Sequence, residues 1–525
     1  MMNRRVLGIP LPVVIIGGVV LFIVALIIGL ALSNWGSVLD GGGDVLELIF
    51  ERDDRNINPI ECSESDGCSF WHPILYTAVF LAVIVTGFAY TTLLERKLIA
   101  YFQQRVGPNR VGPGGFLQPA ADGVKLIFKE NVRPSQLSSH KVWYLAPMLK
   151  TIPVLVVMAV VPMGPPINVP WFGGDWYRVP LHLIDPNVGI LWILGITSLA
   201  TYGVVLAGWA SNNKYSMLGG LRASAQMISY ELSMGITLAV PVLIAGSMSL
   251  GDIVQGQDGF LFPSWYVFQN PLAAGILLIA LLAETNRAPF DLPEAEQELT
   301  AGYQTEYSGM KFALFMMAEY LGMIAVSMIA ATTFFGGYQD GLGIVDSIPI
   351  IGPIVLLGKV FLLLVGMIWV RATLPRIRYD RLMQFGWKVL LPLGFLSVIW
   401  TAVALVVGDE FGTDGYLIAS GVMLTLFALG AFFYLLQTGS FESDEDDVED
   451  DPIITGDASG FGYMALQAVG GLIAVPFALF DFTINILDGI ADFLPDEEED
   501  DEAEDLPALE DGDETQALPA QTGGD

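Results

Sequence analysis

The chain has 525 residues, of which 53% are hydrophobic and 15% are charged. Soluble domains carry about 25% charged residues, so this composition excludes a water-soluble globular protein and predicts one embedded in lipid. The formal net charge of −32 belongs largely to one segment, because residues 437–525 hold 26 of the 56 acidic residues and no Lys or Arg.

The apolar residues form blocks that are long enough to cross a bilayer. A span needs about 20 apolar residues, and backbone amides in hydrocarbon need partners within the same segment, which favours helices. We therefore predict an all-α, polytopic membrane protein with about ten transmembrane helices. The predicted spans are roughly 11–33, 72–94, 146–165, 188–210, 227–250, 268–283, 312–335, 350–370, 388–408 and 415–436.

The basic residues predict the orientation, because Lys and Arg accumulate in cytoplasmic loops. With the N-terminus inside, 19 of the 24 basic residues fall in cytoplasmic segments. Both termini are then cytoplasmic. The first span has a basic start, and small residues near Ala31 could form a signal cleavage point. Its apolar stretch is longer than the ~7–15 residues of a signal peptide, which favours a retained anchor.

The loop 34–71, predicted to lie outside, contains the only two cysteines of the chain, Cys62 and Cys68. Disulfides persist in that compartment, so we expect a disulfide between them, with two unpaired thiols as the alternative. The spacing is not CxxC, and metal ligation is not expected.

The first charged segment, 95–130, is predicted to continue the helix before it and then to become irregular over RVGPNRVGPGG. Pro and Gly there interrupt a regular series of backbone hydrogen bonds. An amphipathic interfacial helix follows, with Leu117 and Val124 on its apolar face. This helix alone could be a membrane anchor. The charged, Pro-stiffened turn between two such helices favours a docking surface or the wall of a site.

The second charged segment, 283–320, is acidic. Asp291 is placed to cap a helix, with Pro293 in its first turn and Glu294 three residues on. The acidic cluster comprises Glu294, Glu296, Glu298 and Glu306. Neighbouring carboxylates resist joint ionisation, and such groups can pass protons. The alternative is a solvated acidic loop.

Four charged residues fall within predicted spans, with Glu231 expected near the cytoplasmic start of its helix: Glu231, Glu319, Lys150 and Lys359. Charges at such depth are costly and usually functional. They predict a proton path from the acidic cluster through Glu319 and Glu231 toward the two lysines. The alternative is a set of structural ion pairs between helices.

The sequence has no pattern typical of a bound redox group or nucleotide. The three histidines, His72, His140 and His182, lie near membrane edges or in loops, whereas haem in a helix bundle needs axial ligands such as paired histidines. A redox role therefore requires partners.

The C-terminal residues 437–525 differ from the rest. Residues 442–451 and 496–505 are nearly all Asp and Glu, a composition that cannot bury a core and predicts disorder. Between them, 461–494 is apolar and its second half has the pattern of an amphipathic helix. We expect this helix to lie on the membrane or to dock on a partner.

Four segments together resemble a known family. ERKLIAYFQQRVGPNRVGPGG, GWASNNKYSMLGGLRASAQMISYE, RAPFDLPEAEQELTAGYQTEYSGMKFALFMMAEY and RATLPRIRYDRLMQFGWK are similar to the H subunit of bacterial NADH-quinone oxidoreductase, respiratory complex I, and to its mitochondrial counterpart. The resemblance covers about 72–408. Similar motifs occur in subunits of membrane-bound hydrogenases and coenzyme F420 dehydrogenases. The alternative function is therefore that of the equivalent subunit in such a complex.

The resemblance implies an eight-helix core in the bacterial inner (plasma) membrane, beneath a peripheral arm. Its cytoplasmic loops would form the quinone chamber with hydrophilic partners. FMN and iron–sulfur clusters on partner subunits would deliver electrons. The acidic loop would link quinone chemistry to proton pumping by antiporter-like subunits. The implied chamber residues are Glu95, Arg96, Arg222, Arg287 and Asp291. The implied coupling residues are Glu231, Glu294, Glu296, Glu298, Glu306 and Glu319, to which the buried-charge pattern adds Lys150 and Lys359.

The chain departs from the family at both ends. We predict an extra N-terminal helix and outer loop over 1–71, the quinone-site core over 72–408, an extra helix over 409–436 and the acidic tail over 437–525. The additions are expected to contact extra or neighbouring subunits. A stand-alone ion transporter would show helices broken at mid-membrane, whereas Gly and Pro irregularity here lies in loops. A purely structural anchor would not require buried Glu319 and Lys359.

Overall fold

The computed structural model describes residues 5–6, 9–10, 60–61, 71–170, 176–259, 264–291, 300–412, 416, 418–422 and 425–426. Several predictions concern residues outside these ranges. They are the first span 11–33, most of the tenth span, the pair Cys62 and Cys68, the carboxylates Glu294, Glu296 and Glu298, and the tail 437–525 with its helix at 461–494.

Eight apolar helices occupy the predicted core. Seven of them are long and apolar enough to cross a membrane, and the Pro271–Glu284 helix is shorter. They confirm an all-α membrane fold. Their bounds are α1 Trp71–Phe102, α2 His140–Met158, α3 Gly189–Ala210, α4 Lys214–Ala245, α5 Pro271–Glu284, α6 Gly309–Phe334, α7 Gly352–Thr373 and α8 Leu391–Phe411.

Shorter elements connect the eight helices. The predicted interfacial helix is present at Gln118–Phe128, where no residue is buried, and the preceding Pro- and Gly-rich run is irregular, as predicted. The other short helices and turns are Pro113–Gly115, Leu250–Gln255, Tyr266–Gln269, Gly302–Gln304, Ile344–Ser347, Pro349–Ile351, Tyr379–Gln384 and the π-helical Phe385–Leu390.

The start of α4 corrects a predicted boundary. The helix begins at Lys214 rather than at 227, and the Asn213 side chain caps it by accepting a 3.1 Å hydrogen bond from the Tyr215 amide. The first turns of α4 contain mostly polar or small residues, so a search for long apolar segments does not detect them. Glu231 was expected near the start of its helix, which is wrong. It lies about 25 Å along the axis, at 1.5 Å per residue.

The helices approach one another closely where small residues meet. Gly203 of α3 faces the backbone of α2 at Lys150, and a Cβ there would lie 2.6 Å from the Lys150 nitrogen. Gly219 of α4 faces Gly302 in the same way, with a Cβ-to-Cα separation of 2.6 Å. Small residues at such positions are typical of membrane helix packing, because they let backbones come into contact.

Residues 103–139, 211–213, 285–291, 300–308 and 374–378 gather at one end of the bundle, here called the charged end. The Val132 amide donates to the Ser308 hydroxyl at 3.0 Å, and the Ile377 amide donates to the Pro289 carbonyl at 3.1 Å. These bonds join loops that are far apart in sequence. The charged end is therefore one connected surface.

The opposite end contains a small sheet that the sequence did not predict. Strand β4 (Ile167–Pro170) pairs antiparallel with β5 (Trp176–Val179), and β3 (Ile60–Glu61) pairs parallel with β5, with Ile60 opposite Tyr177. A separate pair joins β1 (Arg5–Val6) to β2 (Ile9–Pro10). Residues 60–61 precede the predicted core, so a segment before the core is tied to it here.

We predict that Gly203→Ala lowers the thermal stability of this protein, because its methyl group would overlap the α2 backbone. Overpacking of this kind costs about 1–3 kcal/mol. The matched control is Gly195→Ala on the same helix, where a Cβ meets no atom within 4 Å. The control should be neutral or slightly stabilising, because Ala favours helices over Gly. The fraction of protein left soluble after heating detergent-solubilised membranes measures both, and equal losses would contradict the packing argument.

Candidate functional site

Arg287 lies in the turn after α5 and is buried between carboxylates from two other helices. Its Nη1 is 3.1 Å from Oε1 of Glu95 on α1, and its Nε is 2.6 Å from Oε1 of Glu319 on α6. The guanidinium carbon lies 4.4 Å from the ring centroid of Tyr320. The Arg287 side chain is only 6% exposed, so these groups replace water as its partners.

Arg371 at the end of α7 adds a second guanidinium, which also pairs with Glu95. We call Glu95, Arg287, Glu319 and Arg371 the Arg287 cluster. Two positive and two negative groups balance within it. Buried ions are tolerated when their charges are paired, so the cluster holds the charged ends of three helices in one arrangement.

The turn that carries Arg287 is held by Gln226, which is fully buried in α4. The Gln226 amide donates to the Ala283 and Phe290 carbonyls, each at 2.9 Å. Asn286 has a φ of +52°, a left-handed conformation that Asn tolerates better than most residues. Gln226 and Asn286 therefore fix the direction in which Arg287 leaves the turn.

A cavity of about 50 Å³ lies between α2, α3, α6 and the end of α5, and it exceeds the ~10–15 Å³ that a cavity needs to hold a water. Its polar lining includes Lys150, Glu284 and Glu319, and the remaining walls are largely apolar. Within the described residues, Oε2 of Glu284 is buried without a hydrogen-bond partner. Buried polar atoms are normally paired, so water in the cavity fits this oxygen.

Glu231 of α4 is half-buried and lies behind one wall of the same cavity. The Ser198 hydroxyl donates a short hydrogen bond to its carboxylate, and the adjacent Thr197 lines the cavity and also bonds Glu231. Glu284 interacts with the charges of both Lys150 and Glu231. The structure therefore brings Glu319, Glu284 and Lys150 together around one cavity beside the Arg287 cluster, and Glu231 lies behind the Thr197 wall of that cavity.

The other predicted chamber residues lie at the charged end outside the Arg287 cluster. Asp291 pairs with Arg376 at 3.2 Å, and Arg222 lies over the Tyr379 ring at 5.7 Å. Arg96 points to the surface, where it pairs with Asp122 at 2.6 Å and is 50% exposed. These residues border the site, whereas Glu95 and Arg287 lie within it.

Lys359 lies at the opposite end of the bundle and does not line the cavity. Its ammonium donates to the carbonyls of Phe335, Gly337 and Gln339 at 2.6, 2.8 and 2.5 Å and lies 4.1 Å from the Trp265 ring centroid. Three acceptors match its three donors. This geometry is typical of a cation that caps the end of a helix, here α6, and the coupling role of Lys359 stays a prediction.

Glu306 is the one member of the acidic cluster that the structure describes. Its carboxylate accepts a 2.8 Å hydrogen bond from Asn213 at the start of α4. The neighbouring Tyr307 hydroxyl donates to the Trp143 carbonyl at 3.2 Å, an acceptor left open because Pro147 lacks the amide that would bond it. Burial raises the pKa of the Tyr307 phenol, so it acts there as a hydrogen-bond donor.

Three residues of this site were not predicted from the sequence. Glu284 is the last residue of α5 and directly follows the predicted span 268–283, which made it look like part of a loop. Arg371 was predicted only as one of the basic cytoplasmic residues. Gln226 is uncharged, so no charge pattern pointed to it. Among the residues that the structure describes, no group of three or more His, Cys, Asp and Glu side chains is arranged to hold a metal ion.

We predict that Arg287→Met destabilises the protein by about 3–5 kcal/mol, because it leaves Glu95 and Glu319 buried without their shared cation. Arg287→Met with Glu319→Gln should recover part of the loss. The matched control is Arg96→Met, which breaks an ion pair of equal length at the surface and should change stability by about 0–1 kcal/mol. The thermal stability of Arg287→Met, Glu319→Gln, the double variant and Arg96→Met is measured in solubilised membranes. Additive effects of Arg287→Met and Glu319→Gln would contradict the coupling between the two residues.

Comparison with known proteins identifies the family. The family model for NADH dehydrogenase matches residues 75–402, inside the predicted core. The NADH-quinone oxidoreductase H subunit of Protochlamydia amoebophila is 49% identical over 318 residues, which are 60% of this chain and 92% of that relative. The H subunit numbered 2 of Geobacter sulfurreducens is 46% identical over 329 residues, 62% of this chain and 94% of the relative.

NADH-quinone oxidoreductase subunit 8 of Rhodothermus marinus is 46% identical over 349 residues, which are 63% of this chain and 98% of that relative. These matches confirm the resemblance that the four motifs indicated. The chain therefore belongs to the NADH dehydrogenase family, the membrane-embedded H subunits of NADH-quinone oxidoreductases.

Proposed function

We propose that the charged end of this protein contributes to the quinone chamber of an NADH-quinone oxidoreductase, and that the charged residues at the cavity behind it couple quinone reduction to proton translocation. The observation that carries the proposal is the position of Arg287. It pairs with Glu95 on one side and with Glu319 on the other, and Glu319 also lines the cavity.

The double pairing of Arg287 supports a coupling step. Quinone reduction adds two electrons, which FMN and iron–sulfur clusters on partner subunits would supply. Negative charge that develops near Glu95 would draw the guanidinium toward it, and the pairing with Glu319 would weaken. A carboxylate that loses its cation in a buried site favours the protonated form. Glu319 would then take up a proton.

The proposed route continues inward from Glu319. Waters in the cavity would pass the proton to Glu284, and the Thr197 and Ser198 hydroxyls border Glu231 beyond it. Glu294, Glu296, Glu298 and Glu306 would supply protons at the charged end. The coupling would then extend to antiporter-like subunits of the membrane arm, which would pump protons.

Orientation and partners follow from the same proposal. The charged end would face the cytoplasm under the peripheral arm, with the protein in the inner (plasma) membrane and both termini cytoplasmic. Arg96, Arg222 and Asp291 would border the chamber or its entrance. The segments 1–71, 409–436 and 437–525 flank the core and would contact additional subunits.

We predict that Glu319→Gln lowers quinone-linked NADH oxidation and proton translocation at least about tenfold, since a positioned acid–base group contributes ~10²–10⁴ in rate. The matched control is Glu410→Gln, an exposed carboxylate at the far end of α8. Both activities are measured in vesicles that contain the assembled complex. NADH oxidation with ferricyanide, which bypasses the membrane subunits, reports whether the peripheral arm is intact. Unchanged quinone-linked turnover and pumping in Glu319→Gln would overturn the proposal.

A further inference from the structure

The cavity beside the Arg287 cluster has a polar end and an apolar end. Lys150 on α2 and Glu319 on α6 line its polar end. Both helices run from the charged end toward the opposite end of the bundle. Farther along them, the lining consists of Val157 on α2 and of Val326 and Ile329 on α6. At 1.5 Å per residue, Ile329 lies about 15 Å beyond Glu319 along the α6 axis.

The apolar end is closed by the chain itself. Val157 and Ile329 are each 1% exposed and Val326 is 5% exposed, so water outside the protein does not reach this end of the cavity. We call these three residues the apolar seal. Val326 and Ile329 are three residues apart on one helix, which places them on the same face of α6.

A buried layer lies behind the apolar seal. Met158, which follows Val157, is fully buried, and so are Ala330 and Phe334 on α6. The carbonyls at the end of α6 and in the loop after it are bonded by the Lys359 ammonium. Apolar packing and this cap therefore lie between the cavity and the opposite end of the bundle.

Hydroxyl groups near the apolar seal are engaged within their own helices or with α4. Thr197 of α3 donates to the Ile193 carbonyl at 3.0 Å and also bonds Glu231 of α4. On α6, three hydroxyls each donate to the carbonyl four residues before them: Ser327 to Met323 at 2.8 Å, Thr332 to Met328 at 2.9 Å and Thr333 to Ile329 at 2.8 Å. These bonds do not extend the polar lining past the apolar seal.

Water occupies a buried cavity only where polar partners hold it. A buried water makes about two to four hydrogen bonds, and cavities lined by apolar side chains stay dry. The polar end offers Lys150, Glu284 and Glu319 as such partners, whereas the three side chains of the apolar seal offer none. Dry apolar constrictions also block the passage of ions in channels. A proton in the cavity therefore has no water to carry it past the seal.

We propose that Val157, Val326 and Ile329 close the cavity toward the opposite end, so that a proton taken up from the charged end does not cross the membrane through this chain. The proposal rests on the proposed coupling function, and it adds the direction of proton movement. The cavity then exchanges protons at one end only. It is protonated and deprotonated during coupling, while passage across the membrane takes place in partner subunits.

Polar substitutions in the apolar seal test this inference. Val326→Asn and Ile329→Asn each place an amide in the dry section, where its donors and its acceptor recruit water. The measurement is the decay of an imposed pH gradient across vesicles that contain the assembled complex, without NADH. We expect the decay to be at least about tenfold faster than with the parent complex, which corresponds to ~1.4 kcal/mol removed from the barrier.

The matched control is Ile324→Asn on the same helix. Ile324 is 8% exposed, but it faces Gly87 of α1, where its Cδ1 lies 3.7 Å from the position of an added Cβ, and it is not part of the cavity lining. The gradient should decay at the parent rate in this variant. Equal rates in Val326→Asn, Ile329→Asn and Ile324→Asn would overturn the inference, whether all three are slow or all three are fast.

A milder variant decides the question if the Asn variants do not assemble. Val157→Thr with Val326→Thr keeps the shapes of both side chains and adds two hydroxyls that can hold water. This double variant should also leak faster than the parent complex. An unchanged rate of decay would refute the apolar seal.

The two proposals fail separately, because the leak is measured without quinone reduction. If Glu319→Gln loses coupling and the seal variants do not leak, the coupling function stands and the apolar seal is wrong. If Glu319→Gln retains full quinone-linked turnover and pumping, the coupling function is overturned whatever the rate of the leak.

Discussion

The burial of one guanidinium between two carboxylates is the constraint on which the charged end depends. Arg287 pairs with Glu95 of α1 and Glu319 of α6, and removing these ions from water carries a penalty of several kcal/mol per ion. The surrounding structure offsets that penalty. Arg371 supplies a second cation, and Gln226 holds the turn that carries Arg287. The positions of α1, α6 and α7 at this end all follow from satisfying one buried charge.

The Glu319 carboxylate fits both interpretations of the buried charges that the sequence left open, a structural ion pair and a part of a proton path. Glu319 forms an interhelical ion pair, as the structural alternative expected, and it also lines a cavity that leads to Glu284 and Lys150. The two buried lysines separate these roles. Lys150 faces carboxylates across that cavity, whereas Lys359 is held by backbone carbonyls at the other end of α6. Depth in an apolar segment therefore does not by itself identify a proton-carrying group.

The sequence was sufficient to predict the eight core helices, because a span in lipid requires a long apolar block and little else. It was not sufficient to place the first turns of α4, where packing of Gly219 against Gly302 stabilises a polar helix. Glu319 could be named from its type and its position in an apolar span, and the family resemblance implied Glu95 and Arg287. Their pairing could not, since it arises when three helices meet and leaves no periodicity in a single chain. Glu284 was missed because it directly follows the predicted span 268–283 and looked like part of a loop.

The parallel pairing of β3 with β5 has a consequence for biogenesis. Ile60 lies opposite Tyr177, so β3 has no partner when it first leaves the ribosome. Chains emerge from their N-terminus at roughly 5–20 residues per second, and α1 and α2 are both synthesised before β5. Residues 60–61 therefore pair with the core only after its first two helices have been made. This contact between the start of the chain and the core is, in order of folding, a late one.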